Sequence, residues 1–369
     1  MIDKDRLLKS FIELARVTAP SGREGAMGKT LIRRLKNLGL DVSVDDGADK
    51  TGGEQGNIVA RLDPSERRTD WIALAAHMDT VPLSHPTRPI VRNGIVYSDG
   101  TTVLGADDRA GIASILEAIE VLKKDGSDHP GIEVIFTVSE EVGLLGSKAL
   151  DLSKLKSSMA FVFDSSTEPG SIITTAPFAT SITWTVIGLA AHAGVAPEKG
   201  INAIQAASRG IASLRIGRID EETTANVGTI KGGHAINVVC DRVEIKAEAR
   251  SLKEDKLKRQ VLEMRTTMKR AIAEYGATLE EKVAEKYPGY FLTANAPVVV
   301  KAVEAVKAAR LIPKITSTGG GSDANVLNYG GLPSVNLGLG YQRAHTNEES
   351  LEISKLETMA KVALEIVRS

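Results

Sequence analysis

The sequence predicts an α/β protein in which a small sheet domain is inserted into a larger mixed-sheet domain with helices on both faces. In the first and last thirds, apolar runs typical of buried strands alternate with amphipathic helix patterns. The middle third has the order strand, helix, strand, strand, helix, strand, which is the βαββαβ pattern of a ferredoxin-like domain. The 369 residues also exceed what one hydrophobic core usually serves.

The two patterns meet near residues 175 and 291, so we expect a domain of residues 1–174 and 292–369 and an inserted domain of residues 175–291. In the first part, apolar spacing predicts helices 3–17, 23–38 and 108–123 and strands 57–62, 71–76, 131–138 and 158–163. In the inserted part, it predicts strands 181–189, 223–230, 238–250 and 277–286 and helices 200–214 and 254–275. The last part is predicted as helix 296–309, strand 334–337 and helix 354–367.

The charge balance argues against nucleic acid or a membrane surface as a partner. The net charge is −1, from 46 Lys and Arg against 47 Asp and Glu. An even balance gives no electrostatic attraction to phosphate backbones or anionic lipids. Aromatic residues make up only 4% of the chain, which also disfavours a base-stacking surface.

Cysteine content and the N-terminal sequence predict a cytoplasmic protein. The single cysteine, Cys240, cannot form an internal disulfide, and its apolar surroundings favour a buried thiol. The N-terminus is charged where a signal peptide needs an apolar core, and no apolar run is as long as a membrane helix.

An imidazole and a carboxylate follow the predicted strand 71–76. His77 and Asp79 are two residues apart, so on a strand they leave the same face. Alone this pair is a weak signal, because a hydrogen-bonded histidine and a turn carboxylate at a strand end are more common than a functional pair.

Two adjacent aspartates, Asp107 and Asp108, open the predicted helix 108–123 between Gly105 and Gly111. An aspartate at a helix start is often only an N-cap. Two of them, followed by Arg109 and flanked by glycines, are more than a cap requires. A carboxylate here could bridge two cations, since it has two acceptor oxygens.

Glu140 and Glu141 follow the predicted strand 131–138. They could be a solvated charge pair at a strand end. In a functional interpretation, one carboxylate is a metal ligand and the other takes a proton from a metal-activated water.

Asp164 ends strand 158–163, and His345 precedes the last helix. Each could be an ordinary turn or loop residue. Taken together, however, these acidic and imidazole groups lie at strand ends or at a helix start, and ligands of open α/β sheets bind at the carboxyl ends of strands. A set of nitrogen and oxygen donors suits zinc, manganese or cobalt. The sequence therefore predicts a two-metal hydrolytic site.

Over essentially its whole length, the chain resembles the co-catalytic metallopeptidases that include peptidase T, carboxypeptidase G and aminoacylase. The motifs are His77-Met78-Asp79, Gly105-Ala106-Asp107-Asp108-Arg109-Ala110-Gly111, Ser139-Glu140-Glu141-Val142-Gly143, Phe163-Asp164 and His345, and in the inserted part Ala190-Ala191-His192-Ala193-Gly194, Asn237-Val238-Val239 and Glu248-Ala249-Arg250-Ser251.

The resemblance implies a role for each site residue. Asp107 would bridge two divalent metal ions, for which the resemblance implies zinc, with manganese or cobalt as alternatives. His77 and Asp164 would complete one site, and Glu141 and His345 the other. Glu140 would be the general base, and Asp79 would orient His77. The resemblance also implies a cis peptide bond between Asp107 and Asp108.

Substrate contacts are implied for the inserted part and for a glycine-rich loop. His192 would stabilise the oxyanion, and Asn237 and Arg250 would bind the substrate backbone or carboxylate. In the loop, Gly320 and Ser322 are further candidates. Peptidase T sequences carry an arginine before a Gly-Gly-Thr-Asp run, whereas this chain has a glycine there, in Thr318-Gly319-Gly320-Gly321-Ser322-Asp323. The resemblance therefore leaves the substrate length open.

The expected function is hydrolysis of short peptides, such as di- or tripeptides, by an exopeptidase that forms a homodimer through the inserted domain. A related aminopeptidase class shares some motifs, but the βαββαβ insert argues against it. A deacylase acting on N-acyl amino acids would use the same dimetal site. A non-catalytic binding protein on this fold would lack a ligand or the base, and none is missing from the sequence.

Overall fold

The structure is a computed structural model that describes residues 1–82 and 86–369. The chain divides into two compact units. The large unit comprises Met1–Thr175, Phe291–Ser317 and Ser322–Ser369, and the inserted unit comprises Ala176–Tyr290 and Thr318–Gly321. The predicted α/β class, with a mixed sheet and a separate inserted sheet, is confirmed. The short segment Thr318–Gly321 groups with the inserted unit, which the sequence pattern did not indicate.

The elements follow in chain order. Up to the inserted unit they are α1 (Lys4–Ala15), α2 (Gly25–Asn37), β1 (Asp41–Val44), α3 (Gly47–Thr51), β2 (Ile58–Leu62), β3 (Trp71–His77), β4 (Ile90–Arg92), β5 (Ile95–Tyr97), α4 (Ala106–Asp125), β6 (Gly131–Thr137), α5 (Leu145–Ala149), β7 (Ala160–Ser165) and β8 (Ser171–Ala176). Next come β9 (Phe178–Ile187), α6 (Ala203–Ser213), β10 (Gly217–Arg218), β11 (Thr223–Gly232), β12 (Arg242–Ser251), α7 (Glu254–Ala273) and β13 (Thr278–Tyr287). The last are β14 (Tyr290–Phe291), α8 (Pro297–Ala308), β15 (Lys314–Ser317), α9 (Asp323–Tyr329), β16 (Ser334–Gly338), β17 (Ser350–Glu352) and α10 (Ile353–Arg368).

The main sheet of the large unit has nine strands, in the order β1-β2-β6-β3-β7-β16-β8-β14, with β15 paired to β8. Its centre, β6-β3-β7-β16, is parallel, whereas β1, β2 and the β16–β8 pair are antiparallel. Because the central strands run the same way, their carboxyl ends lie at one edge of the sheet. A second, three-stranded sheet has the order β17-β5-β4.

The central strands are buried on both faces. Every residue of β6 is buried, and so are all residues of β3 except Trp71. Burial of both faces requires cover on each side, as expected for parallel strands between helix layers. Helix α4 is buried along most of its length and packs against α1 and α10. Among residues 1–82 and 86–369, no helix is sufficiently long and apolar to cross a membrane.

Several short elements were not predicted. Strand β8 has only two large apolar residues in Ser171-Ile172-Ile173-Thr174-Thr175-Ala176, too few for a recognisable pattern. It is buried nevertheless, because it pairs with both β15 and β16. Strands this short depend on tertiary pairing rather than on their own sequence.

The inserted unit contains a five-stranded antiparallel sheet in the order β10-β11-β12-β9-β13. Its four long strands have the order of a ferredoxin-like domain, and β10 adds only two residues at the edge. One face packs on α6 and α7 around the buried side chains of Trp184, Ile245 and Met268. The alternation of buried and less buried residues along β12 fits a sheet with helices on one face.

The predicted strand 238–250 was wrong at its start, because β12 begins at Arg242. The preceding backbone forms other hydrogen bonds. The N–H of Val239 donates to the carbonyl of Ala191, and the carbonyl of Cys240 accepts from Ala203. Residues 238–241 therefore form hydrogen bonds with segments outside the five-stranded sheet, which an apolar run in the sequence does not distinguish from a sheet strand.

Candidate metal centre

Four parallel strands deliver most of the predicted metal ligands to one edge of the main sheet. His77 is the last residue of β3, and Glu141 lies in the turn that follows β6. Asp164 is the next-to-last residue of β7, and His345 lies in the loop after β16. Asp107 comes from the start of α4. The fold therefore brings all five residues together within the large unit.

One side of the cluster forms around His77. Its Nε2 lies 2.9 Å from Oδ1 of Asp107 and 3.7 Å from Oδ1 of Asp164. All three side chains are largely buried, with His77 only 1% exposed.

The other side forms around His345. Its Nε2 lies 3.3 Å from Oδ2 of Asp107 and 3.0 Å from Oε1 of Glu141. The two oxygens of Asp107 thus face two different imidazoles. His345 is half exposed, so this side of the cluster is open to solvent.

These distances fit metal coordination. Ligand atoms at 2.0–2.2 Å from a tetrahedral ion are about 3.3 Å apart, close to the separations within both groups. Ligand atoms of His77, Asp107 and Glu141 all lie within 4.8 Å of one another. Imidazole and carboxylate donors suit zinc, and also manganese or cobalt. The residues present could hold two divalent ions with Asp107 between them.

Asp108 also lies within metal-ligating distance of His77 and Asp164. However, its Oδ2 accepts a hydrogen bond from the N–H of His77 (3.2 Å), and its Oδ1 accepts one from the N–H of Gly111 (3.1 Å). Both oxygens are thus bound to backbone, which favours Asp107 as the ligand. The bond between Asp107 and Asp108 is cis. At Gly111 a Cβ would overlap the Asp108 carboxylate and the Phe163 carbonyl, which explains the glycine.

The ionisable groups influence one another strongly. Hydrogen bonds to the carboxylates of Asp107 and Glu141 raise the pKa of His345 to about 10. Burial raises the pKa of Asp164 to about 7. Burial would lower the pKa of His77, but the surrounding carboxylates outweigh it and raise that pKa well above the usual value. The cluster therefore retains protons that bound cations would displace.

Asp79 is fully buried and contacts both His77 and the turn after β6. The Nδ1 of His77 lies 3.1 Å from the backbone carbonyl of Asp79 and 3.4 Å from its carboxylate. The carboxylate also accepts hydrogen bonds from the N–H groups of Glu140 (2.9 Å) and Glu141 (3.2 Å). Asp79 therefore holds the backbone of the two glutamates as well as the ring of His77, a second contact that the sequence did not indicate.

Glu140 is 9% exposed and lies beside the cluster. Burial raises its pKa well above the usual value, and the negative charge of Asp164 adds to this effect. A carboxylate with a raised pKa can accept and return a proton near neutral pH.

Two further buried residues hold the backbone of Asp107 and the backbone just after His77, and the sequence analysis assigned a role to neither. Glu349 is 1% exposed, and its carboxylate accepts from the N–H groups of Gly105 (2.7 Å) and Asp107 (3.0 Å). Arg109 is 1% exposed and donates to the carbonyl of Met78 at 2.6 Å. For Glu349, the adjacent acidic pair in Thr346-Asn347-Glu348-Glu349 was an available sequence signal. For Arg109, the signal was a charged residue in an apolar helix.

The predicted oxyanion and backbone contacts lie in the inserted unit. His192 pairs with Val238 in an isolated bridge, and the N–H of Ala193 donates to the carbonyl of Asn237 at 3.0 Å. His192 and Asn237 therefore lie on adjacent backbone segments. The side chain of His192 is exposed, and its Nδ1 accepts from the N–H of Gly194 at 3.2 Å.

Arg250 projects from β12 in the same unit. Its guanidinium pairs with Glu248 at 2.8 Å and donates to the carbonyl of Gly319 at 3.4 Å. The latter contact links it to the glycine-rich loop that contains Gly320, whose N–H donates to Thr318 Oγ1 at 3.1 Å.

Ser322, the other predicted loop contact, lies in the large unit and is 3% exposed. It forms a capping box with Asn325 at the start of α9, in which its side chain accepts from backbone and its N–H donates to Asn325 Oδ1 at 3.0 Å. Its hydroxyl is thus engaged by the helix, and we remove Ser322 from the candidate substrate contacts.

Comparison with known proteins gives matches over the whole chain. The profile of peptidase family M20/M25/M40 matches residues 73–369. The uncharacterized protein YqjE of Bacillus subtilis (strain 168) is 42% identical over 367 residues, covering 100% of this chain and 99% of the relative. The crystal structure of aminopeptidase PepT from Bacillus cereus ATCC 10987 has a TM-score of 0.87 at 40% identity and covers 100% of this chain and 98% of that one. A tripeptidase structure from Staphylococcus aureus subsp. aureus Mu50 has a TM-score of 0.92 at 37% identity, with the same coverage.

Proposed function

This chain belongs to peptidase family M20/M25/M40, and we propose that it is a dimetal exopeptidase that removes the N-terminal residue of short peptides. The observation that supports this most directly is the position of Asp107. Its two carboxylate oxygens face His77 and His345, and a second carboxylate lies beside each imidazole.

We assign His77, Asp107 and Asp164 to one ion and His345, Asp107 and Glu141 to the other. When bound, two divalent ions would polarise the scissile carbonyl and lower the pKa of the attacking water. Three protein donors for each ion leave a position for water or substrate. Zinc is the ion we propose, with manganese and cobalt as alternatives.

Glu140 is the proposed general base. Its buried carboxyl lies beside the ligands, and it takes a proton from the attacking water and delivers it to the leaving amine. Asp79 fixes the backbone of Glu140 and the ring of His77, so the base and one ligand share a single support. Glu349 holds the backbone of Asp107.

Substrate recognition is assigned to the inserted unit. His192 is the proposed oxyanion donor, and Asn237 and Arg250 are the proposed contacts to the peptide backbone and carboxylate. The backbone of Gly320 is a further candidate. Relatives named aminopeptidase and tripeptidase, at 40% and 37% identity, support short peptides as the substrate class.

The proposed oligomer is a homodimer formed through the inserted unit, in the cytoplasm. Strand β13 is an edge of the five-stranded sheet, and most of its residues are exposed. An edge strand of this length can pair across a two-fold axis. Light scattering of the purified chain tests this: a mass of one chain at micromolar concentration would contradict it.

The function is tested with purified protein loaded with zinc, manganese or cobalt. Dipeptides, tripeptides, N-terminally blocked tripeptides and N-acyl amino acids are compared by release of free amine. We expect turnover of unblocked tripeptides or dipeptides, and loss of turnover after chelation. Turnover of blocked peptides would indicate attack from the carboxyl end, and hydrolysis restricted to N-acyl amino acids would indicate a deacylase. No hydrolysis with any ion would refute the proposal.

A further inference from the structure

Glu24 is a buried carboxylate outside the proposed ligand set. It is 0% exposed, and its Oε1 accepts hydrogen bonds from the N–H of Gly22 (2.8 Å) and from the N–H (3.0 Å) and hydroxyl (3.1 Å) of Ser139. Glu24 immediately precedes helix α2, where acidic residues often cap the helix. Its side chain makes no capping hydrogen bond, so its contacts are directed elsewhere.

Ser139 requires support from its surroundings. Its φ is 52°, in the left-handed region that non-glycine residues seldom adopt. In the same turn, Leu144 has a φ of 60°. Such conformations persist where neighbouring groups hold them in place. Two of the three hydrogen bonds to Glu24 come from Ser139, its N–H and its hydroxyl.

The turn that Glu24 holds contains the proposed base. Ser139 directly precedes Glu140, whose N–H is bound by Asp79. The same loop that contains Glu24 also supports Asp79, because the hydroxyl of Ser21 donates to Asp79 Oδ2 at 2.6 Å. The loop therefore holds the turn at two points, one direct and one through Asp79.

We propose that Glu24 is a positioning residue that fixes the Ser139 turn and thereby aims Glu140 at the reacting water. This inference rests on the proposed function. Burial of the Glu24 carboxylate is unfavourable in one respect, because its Oε2 has no hydrogen-bond partner among the described residues. An unsatisfied buried oxygen is unfavourable for stability, so this carboxylate is not explained by a contribution to folding alone. A shift of about 1 Å in a catalytic group can cost on the order of 100-fold in rate.

The kinetic test compares Glu24→Ala with Glu24→Gln in the metal-loaded full chain, with Arg23→Ala as the control at an exposed neighbour. Glu24→Ala should lower kcat by on the order of 100-fold while KM and the metal content change little. Glu24→Gln keeps an oxygen acceptor for Ser139 and should restore most of kcat. Equal losses in both variants, or a change in KM alone, would overturn the proposal.

A double-mutant cycle tests whether Glu24 acts through Glu140. In a Glu140→Gln background the base is absent, so Glu24→Ala should cause no further loss of the residual rate. Additive losses would show that Glu24 acts independently of the base, and would refute the positioning role. If Glu24→Ala does not fold, Ser139→Ala takes its place in the cycle, since it removes only the hydroxyl contact.

Hydrogen exchange gives a readout that does not need activity. Amides of residues 138–146 should exchange faster in Glu24→Ala than in wild type or Arg23→Ala, while β3 stays protected. Unchanged exchange in this segment would overturn the holding role of Glu24. If wild-type protein hydrolyses no substrate, the proposed function fails while this measurement still decides whether Glu24 holds the turn.

Discussion

At the scale of single residues, the site depends on which oxygen of each carboxylate is already bound to backbone. Asp108 and Glu349 are buried carboxylates near the centre whose oxygens accept backbone N–H bonds. In Asp107, both oxygens instead face imidazoles. The hydrogen-bond geometry thus divides the neighbouring acidic residues into those that hold the backbone and those that can bind metal.

The adjacent residues Glu140 and Glu141 should have different roles in the metal centre. Glu140→Gln should lower kcat by roughly 10²–10⁴-fold because the proton acceptor is lost, while the bound metal stays at the wild-type level. Glu141→Ala should instead lose part of the metal, because a ligand to the ion beside His345 is removed. Metal analysis and kinetics on both variants decide this; near wild-type turnover in Glu140→Gln would contradict the assignment.

Metal affinity should rise with pH. The pKa of His345 is raised to about 10 and that of Asp164 to about 7, so the metal-free centre holds protons at neutral pH. Binding must displace at least one proton, so apparent affinity should strengthen by at least about tenfold for each pH unit between pH 6 and 8. Calorimetry in buffers of different ionisation enthalpy measures this release, and an affinity independent of pH would refute it.

At the scale of elements, the parallel centre of the main sheet explains why residues distant in sequence meet. The carboxyl ends of β3, β6, β7 and β16 lie at one edge, and each is followed by or contains a site residue. Sequence patterns located these strand ends to within a few residues. They did not reveal the hydrogen bonds from the backbone of Glu140 and Glu141 to Asp79, because these depend on the order of strands in the sheet.

Ser322 at the start of helix α9 allows a test both of the helix cap and of its removal from the substrate contacts. Because Ser322 caps this helix, Ser322→Ala should cost about 1 kcal/mol of folding stability. Its side chain is buried, so KM for peptides should not change. Chemical denaturation and steady-state kinetics measure the two effects. A raised KM with unchanged stability would return Ser322 to the substrate contacts.

At the scale of the whole molecule, bound metal should stabilise the fold. Burial raises the pKa of Asp108 and of Glu140 well above their usual values, and the negative charge of Asp164 adds to this effect at both residues. Divalent ions would offset the negative charge of the site, which is assembled only in the folded state. Zinc at 100 times its dissociation constant should add about 2.7 kcal/mol. Thermal unfolding before and after chelation measures this, with Glu141→Ala as a control that should respond less; an unchanged midpoint would contradict it.

The sequence alone determined the α/β class, the inserted sheet domain and the family, because periodic apolar runs and closely spaced motifs are local features. It also selected the five residues that the fold brings together. Tertiary structure decided the rest. The start of β12 and the burial of β8 depend on pairing partners distant in the chain. So do the contacts of Glu24 and Glu349, since a carboxylate at a helix start or in a loop has no pattern that indicates which backbone N–H it will meet.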